Sequence, residues 1–344
     1  MTASRKIRNM EEFAEVSGIS RPTLSKYFND ADSVRPTTRA KIEAALGQYD
    51  YRPNVYAINQ NRKLTRNVGI VVPFLSDPFF SEISRYLEQR CIEAGYHPTL
   101  FSSNGSPSRE IEILDSLRSI KPAGVLIAPL GRLTDRSLLE KFCDDVPTVL
   151  FDSNIEGMGE AFVGSDNHSF VAQTVDYLCR TGEPPCFFEM KNPANPNANK
   201  RRKAYLDVMQ SLGFEPHVHK INGTGWGFEE IGRAGALDLL SKKALQTDTI
   251  LCSNDRLAIG LLAGCYEAGL TVGRKAGADL RVASHDDHPF SRFTCPSLTT
   301  AAHDYTSVSD NSVATLMKLI ENGAPLNNRN EVLFPARLIM RESA

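Results

Sequence analysis

Asn9 to Asn29, NMEEFAEVSGISRPTLSKYFN, reads as two short helices joined by a tight turn. Asn9 is an N-cap residue with Glu12 three positions on, the reciprocal spacing that satisfies two orphan N–H groups. Phe13 and Ala14 give the first helix an inward face, and Gly18 supplies permissive backbone where it must stop. Ser20 can cap the second helix, and Pro22 falls in its first turn, where a missing N–H costs nothing. Leu24 and Phe28, four apart, form one apolar stripe, while Arg21, Thr23, Ser25 and Lys26 put donors on the other face. The pattern alone also fits a helical hairpin with a solvated charged face. Its apolar back and donor-rich front are what reading a DNA major groove requires.

The chain has 344 residues, enough for a small head and two ordinary α/β domains. A content of 41% hydrophobic and 23% charged residues is that of a globular protein. No apolar run approaches spanning length, and the polar, basic N-terminus lacks the apolar core of a secretory signal. No membrane partner is expected, and a cytoplasmic location is. The net charge of -2 divides unequally: residues 1–66 hold 12 Lys and Arg against 7 Asp and Glu, and the remainder 27 against 34. A basic head on an acidic body suits a head that meets phosphates. The seven cysteines are scattered without a C-x-x-C pair, which fits reduced thiols and argues against metal binding.

Residues 1–8 read as a basic arm, three helices follow to about Tyr49, and 52–66 is polar, basic and aperiodic. From Asn67 the pattern changes. Apolar stretches at Val68–Val72, Pro98–Phe101, Gly124–Ala128 and Thr148–Phe151 alternate with amphipathic helices. The alternation restarts after Asp166, with strands at Cys186–Met190, His217–Ile221, Thr249–Cys252 and Leu280–Ser284. Two such runs predict two α/β lobes, each a parallel sheet with helices on both faces. A tail adds strand Leu298–Ala301, helix Tyr305–Glu321 and two short strands near 331–334 and 338–340.

Open parallel sheets bind ligands beyond the carboxyl ends of their strands. There the sequence places Asp77, Phe79 and Phe80, then Asp152, then Asn254 and Asp255, then Asp286. Trp226 follows His217–Ile221, and Arg201 opens the helix after Cys186–Met190. Carboxylates, an amide or guanidinium donor and an aromatic are what a sugar-like molecule needs. Asp255 fits equally well as a helix cap, and one of Phe79 and Phe80 fits plain core. His285-Asp286-Asp287-His288 cannot all face one ion, Phe228 breaks the dinucleotide pattern begun at Gly223, and neither a G-x-S-x-G elbow nor a P-loop lysine is present. No cofactor is expected, and an enzyme, a carbohydrate-acting one included, is the minor reading. A sugar-binding protein without a DNA role is the second rival, which the basic head opposes.

The turn Val16-Ser17-Gly18-Ile19-Ser20, the segment Thr23-Leu24-Ser25-Lys26, the pair Thr38-Arg39 and Arg52-Pro53-Asn54 resemble, in order and spacing, the lactose-repressor/galactose-repressor (LacI/GalR) family of bacterial transcription regulators. The resemblance implies an N-terminal helix-turn-helix head (1–52), a hinge (53–66) and a two-lobe periplasmic-binding-protein-like α/β body of doubly wound parallel sheets (67–344). It implies three chain crossings, with a first lobe of about 67–165 plus 296–325 and a second of about 166–295 plus 326–344. The implied protein is a repressor that binds near-palindromic double-stranded operator DNA as a homodimer and responds to a small, carbohydrate-like effector. Arg21, Pro22 and Lys26 are then expected in the groove, with Arg8, Ser20, Thr23, Thr38 and Arg39 nearer the phosphates. Phe79, Phe80, Asp152, Arg201, Trp226, Asn254, Asp255 and Asp286 match the effector positions, and Asp77 joins them by its place after the first strand.

The hinge departs from the family pattern. Asn54 and Ala57 fall where the resemblance expects DNA contacts, but Gln60 stands where the family carries a leucine that wedges into the central base step. An amide offsets poorly the few kcal/mol that unstacking costs. Gln60→Leu is therefore expected to tighten binding to operators with an easily unstacked centre and to increase the bend. Gel mobility of permuted fragments reads this; a wild-type bend as large as that of a leucine-bearing relative refutes it.

Overall fold

The computed structural model describes residues 7–29, 31–49, 51, 65–322 and 329–344. The hinge residues Asn54, Ala57 and Gln60 lie outside them. The described chain forms two compact units, 1–65 and 66–344.

The first unit is a three-helix head: α1 (Met10–Ser17), α2 (Arg21–Asn29) and α3 (Pro36–Gln48). Asn9 caps α1 by accepting from the Glu12 N–H at 2.9 Å, and the Glu12 carboxylate returns to the Arg8 N–H, one residue before the expected partner. Gly18 ends α1 at φ +65°, a conformation that costs glycine nothing. Phe13, Leu24 and Ile42, one from each helix, are wholly buried, and Phe13 stacks on Tyr51 at 4.6 Å.

The second unit holds two six-stranded sheets. The first contains β1 (Asn67–Val72), β2 (His97–Ser102), β3 (Gly124–Ile127), β4 (Thr148–Phe151), β5 (Ala161–Ser165) and β11 (Asn330–Phe334), in the order β11-β5-β4-β3-β1-β2, all parallel. Its helices are α4 (Pro78–Glu93), α5 (Pro107–Ile120), α6 (Arg136–Asp145) and α11 (Tyr305–Asn322). The second contains β6 (Cys186–Met190), β7 (His217–Ile221), β8 (Thr249–Cys252), β9 (Arg281–Asp286), β10 (Thr299–Ala302) and β12 (Arg337–Ile339), in the order β12-β10-β9-β8-β6-β7, with only β12 antiparallel. Its helices are α7 (Asn167–Thr181), α8 (Ala198–Ser211), α9 (Phe228–Ser241) and α10 (Asp255–Glu267). Each sheet carries an apolar cluster on both faces, as near-continuous apolar strands require. At the closest approach of α9 and α10 a Cβ on Gly260 would stand 2.0 Å from the Glu229 carbonyl, so only glycine lets the two backbones meet.

The chain passes between lobes three times, after β5, after β10 and after β11. Two expected lobe boundaries move. Residues 296–302 belong to the second lobe, because β10 pairs with β9 and β12, and β11 belongs to the first, because it pairs with β5. Strand β5 went unread: AFVGS is short, follows a glycine-bearing loop and carries its own glycine.

The second-lobe core holds one unusual group. His285 on β9 is fully buried, and both ring nitrogens lack a partner in bonding geometry. Burial, with the nearby Arg201 charge adding to it, lowers its pKa to about 3; the Asp286 charge and then the Cys252 backbone oppose this. The unfolded chain takes up a proton near pH 6.5 that the native ring refuses, so this histidine costs stability as pH falls from 6.5 toward 3. Other groups titrate in that window, so the comparison must be with a variant. The Tm of wild type relative to His285→Leu should drop progressively from pH 7 to pH 4; parallel curves would show that the ring is protonated without penalty.

Candidate functional site

In the head, Arg8, Ser20, Arg21, Pro22 and Lys26 are exposed, and Thr23 and Thr38 are half-buried. The Ser20 hydroxyl bonds the Thr23 hydroxyl at 2.8 Å. Arg21 forms an exposed pair with Glu11 of α1 at 2.9 Å, a contact weak enough for a phosphate or base to replace. Arg39 differs from its expected placement. Its guanidinium folds back to donate to the Ala31 carbonyl at 2.9 and 3.1 Å and pairs with Asp32, which holds the connection from α2 to α3.

In the body, the ends of both sheets face a common cleft with about 350 Å³ of empty space, part of it open to solvent. Asp77, Phe79, Phe80, Asp152, Arg201, Asn254 and Asp286 line it, seven of the nine residues expected from sequence. The side chains meet across it so closely that its centre admits only water-sized molecules.

Arg201, in the first turn of α8, is buried. Nε donates to Asn167 Oδ1 at 3.1 Å, one terminal nitrogen to the Ser253 carbonyl at 2.8 Å and the other to Asp286 Oδ1 at 2.6 Å. Burial alone would raise the Asp286 pKa; Arg201 and His303 override it and hold it down to about 2. His303 follows β10 and bonds Asp286 through Nε2 at 3.0 Å and Ser165 through Nδ1 at 2.7 Å. An ionised carboxylate only accepts, so Nε2 carries the proton, and in the singly protonated ring Nδ1 accepts from the Ser165 hydroxyl.

Two contacts join the lobes directly. Asp77 caps α4 through the Phe79 N–H at 3.0 Å and pairs with Arg256 at 3.0 Å. Burial pushes its carboxyl up to about 6 against the pull of Arg256. Arg256 is held from behind by both oxygens of Glu229, each at 2.7 Å. Asp152, at φ +57° after β4, accepts from Asn197 at 2.9 Å, and burial raises its pKa despite the nearby His303.

Two expected effector residues do not line this space, although Asp255 borders an adjoining pocket with Asp77, Phe79, Arg256 and Asp286. Asp255 neither caps α10, which Asn254 does, nor faces the cleft with a free oxygen. Its buried carboxylate accepts from Thr300 and Ser291 hydroxyls, both at 2.6 Å, and from the His288 N–H at 2.9 Å. It ties the 288–291 loop to β10. Trp226 stacks on Phe74 at 5.1 Å and packs against the cores of both lobes, so its face is already occupied. Phe80 is core as well as wall, while Phe79 lies against His303 and Tyr305. His285-Asp286-Asp287-His288 disperses: His285 faces Phe170, Asp286 the cleft, Asp287 Arg341, and His288 Phe290.

Sequence reasoning missed Asn195, Asn197, Phe228, Arg256 and His303. All but Phe228 follow strand ends, and Asn195 and Asn197 stand in the Pro/Asn-rich loop after β6, so the strand-end rule reached them had it been applied to every loop. Phe228 opens α9, and in the sequence it stands out only as an interruption of a glycine pattern.

A helix-turn-helix head and a two-lobe, three-crossing body with a polar cleft define a DNA-binding regulator as the class. The model for bacterial regulatory proteins of the lacI family matches residues 9–54, and the model for a periplasmic binding protein-like domain matches 177–344. The NTD biosynthesis operon regulator NtdR of Bacillus subtilis (strain 168) is 23% identical over 97% of this chain and 99% of its own. The ribose operon repressor of Escherichia coli (strain K12) is 26% identical over 85% and 86%. The lac repressor dimer bound to operator and the anti-inducer ONPF superposes with a TM-score of 0.83 at 22% identity, over 98% and 99%. The chain belongs to the LacI/GalR family and is a DNA-binding transcriptional regulator.

Arg201 anchors the second-lobe wall. Arg201→Met strands Asp286 beside one histidine and should cost about 3 kcal/mol, the scale of breaking a buried ion pair. Urea denaturation measures this; a loss below about 1 kcal/mol would show that the pair is solvated.

Proposed function

We propose that this regulator is a homodimeric repressor whose operator affinity is set by a small, polar, sugar-like effector in the interlobe cleft. The carrying observation is that two direct polar contacts between lobes, Asp77 with Arg256 and Asp152 with Asn197, are made by cleft-lining residues. A molecule entering the cleft must exchange those contacts for its own and so changes how the lobes are held. The alternation of carboxylates, amides and aromatic faces fits a molecule with many hydroxyls and an apolar ring face. The related ribose operon repressor supports the same chemistry by its name.

The domain reading is a head of 1–52, a hinge of 53–66 and the body beyond, acting on DNA in the cytoplasm. As a dimer it places two α2 helices about 34 Å apart on a near-palindromic site. Lys26 and Arg21 reach base edges and Pro22 offers apolar contact, while Arg8, Thr23 and Thr38 position the backbone. Arg39 acts by holding the head together.

An operator selected from random duplex DNA tests both halves. Lys26→Ala should cost ~1–3 kcal/mol on the best site and relax one symmetric pair of positions. Equal weakening on specific and random DNA would leave Lys26 a phosphate contact only. Asp286→Ala should abolish release or recruitment by sugars while sparing DNA binding without them; an unchanged response removes Asp286 from the effector site.

A further inference from the structure

The lining of the cleft holds more carboxylates than guanidiniums. Three carboxylates line it, Asp77, Asp152 and Asp286, against two guanidiniums, Arg201 and Arg256. Both guanidiniums are committed. Arg201 binds Asp286, Asn167 and the Ser253 carbonyl, and Arg256 is shared between Asp77 and Glu229. Beyond the lining, Glu229 is bonded to Arg256, and the Lys200 ammonium acts on Asp152 from outside ion-pair distance.

Asp152 is the carboxylate left over. It is 7% exposed, and among the described residues it forms no ion pair, taking only the Asn197 amide. Its left-handed backbone conformation fixes it at the end of β4. A desolvated carboxylate without an ion-pair partner in contact costs free energy that a cation seated in the cleft would recover. Around it, Asn195 and Asn254 use their side-chain oxygens within the protein, which leaves the amide nitrogens for hydroxyl oxygens.

We propose that the effector is an amine-bearing polyol, a sugar or sugar alcohol whose ammonium pairs with Asp152 while amides and Asp286 take its hydroxyls. The same charge balance discriminates against sugar acids and sugar phosphates, which would add a fourth anion without a free guanidinium to meet it. This rests on the reading of the cleft as the effector site.

The test uses the full chain with glucosamine, galactosamine and mannosamine, each beside its uncharged parent, and with glucuronate and glucose 6-phosphate. Melting shifts report binding. Emission of Trp226, the sole tryptophan and a lobe-to-lobe contact, reports closure. At least one amine should bind about tenfold or more tighter than its parent, the scale of a charge-assisted hydrogen bond. Asp152→Asn, which keeps the shape and tolerates the same backbone, should bring that ratio near one. If Asp152→Asn does not fold, the wild-type ranking decides alone. An uncharged sugar binding as tightly as its amine, or an anionic sugar binding best, overturns the charge class and leaves the cleft reading standing when Asp286→Ala abolishes that binding. Binding that survives Asp286→Ala, or no binding by any member, overturns the cleft reading and the proposal with it.

Discussion

The body depends on one buried cation. Arg201 is 2% exposed, and a guanidinium that deep needs its acceptors supplied in place. They come from three separate elements: Asn167 at the start of α7, the Ser253 carbonyl after β8 and Asp286 at the end of β9. The planar fork meets all three only when those ends are in register. The second sheet's edge toward the cleft is therefore set by electrostatics as much as by packing. Asp286 accepts this role at a backbone cost, since its φ is +117°.

The same carboxylate reaches the crossings. His303 joins Asp286 to Ser165, and the Asp166 N–H donates to the Phe334 carbonyl at 2.8 Å, so the first, second and third passages between lobes are tied to one another. On the proposed reading, a ligand that repositions Asp286 acts where the crossings between lobes meet. Its leverage is its difference in affinity between lobe arrangements, because equal binding to both would shift nothing. Trp226 stacked on Phe74 and Asp77 paired with Arg256 set the opposing term at the lips of the cleft.

Much of this was legible because strand ends point at the site. Apolar runs at β1, β4, β8 and β9 placed Asp77, Asp152, Asn254 and Asp286 without any structural knowledge. What failed was knowledge of partners. Asp255 follows a strand exactly as a ligand residue would, yet its oxygens are consumed by Ser291 and Thr300, residues far along the chain. Trp226 has the surface of a stacking platform, but Phe74 from the other lobe already occupies its face. Arg39 looked like a phosphate contact until the Ala31 carbonyl claimed it. The lobe boundaries moved for a related reason: β10 and β11 are both short, and only pairing tells which sheet each one joins.

The polar interior has a thermodynamic consequence. Asp255, pushed up to about 7 by burial and by Asp286, favours its proton in the native state, so its contribution is present at low pH and lost as pH rises through 7. Asp286, held at about 2, works in the opposite sense: its contribution is present above the ordinary carboxylate range and lost as pH falls toward 2. His285, neutral to about 3, sides with Asp286 by costing stability in acid. Adjacent groups on one strand and the helix beside it thus pull the pH profile of the second lobe in opposite directions. An apolar substitution at any one of them removes one slope and exposes the others. Between the ordinary carboxylate range and neutrality the Asp255 and His285 slopes oppose each other, and both groups feel the same Asp286 that holds Arg201 at the cleft.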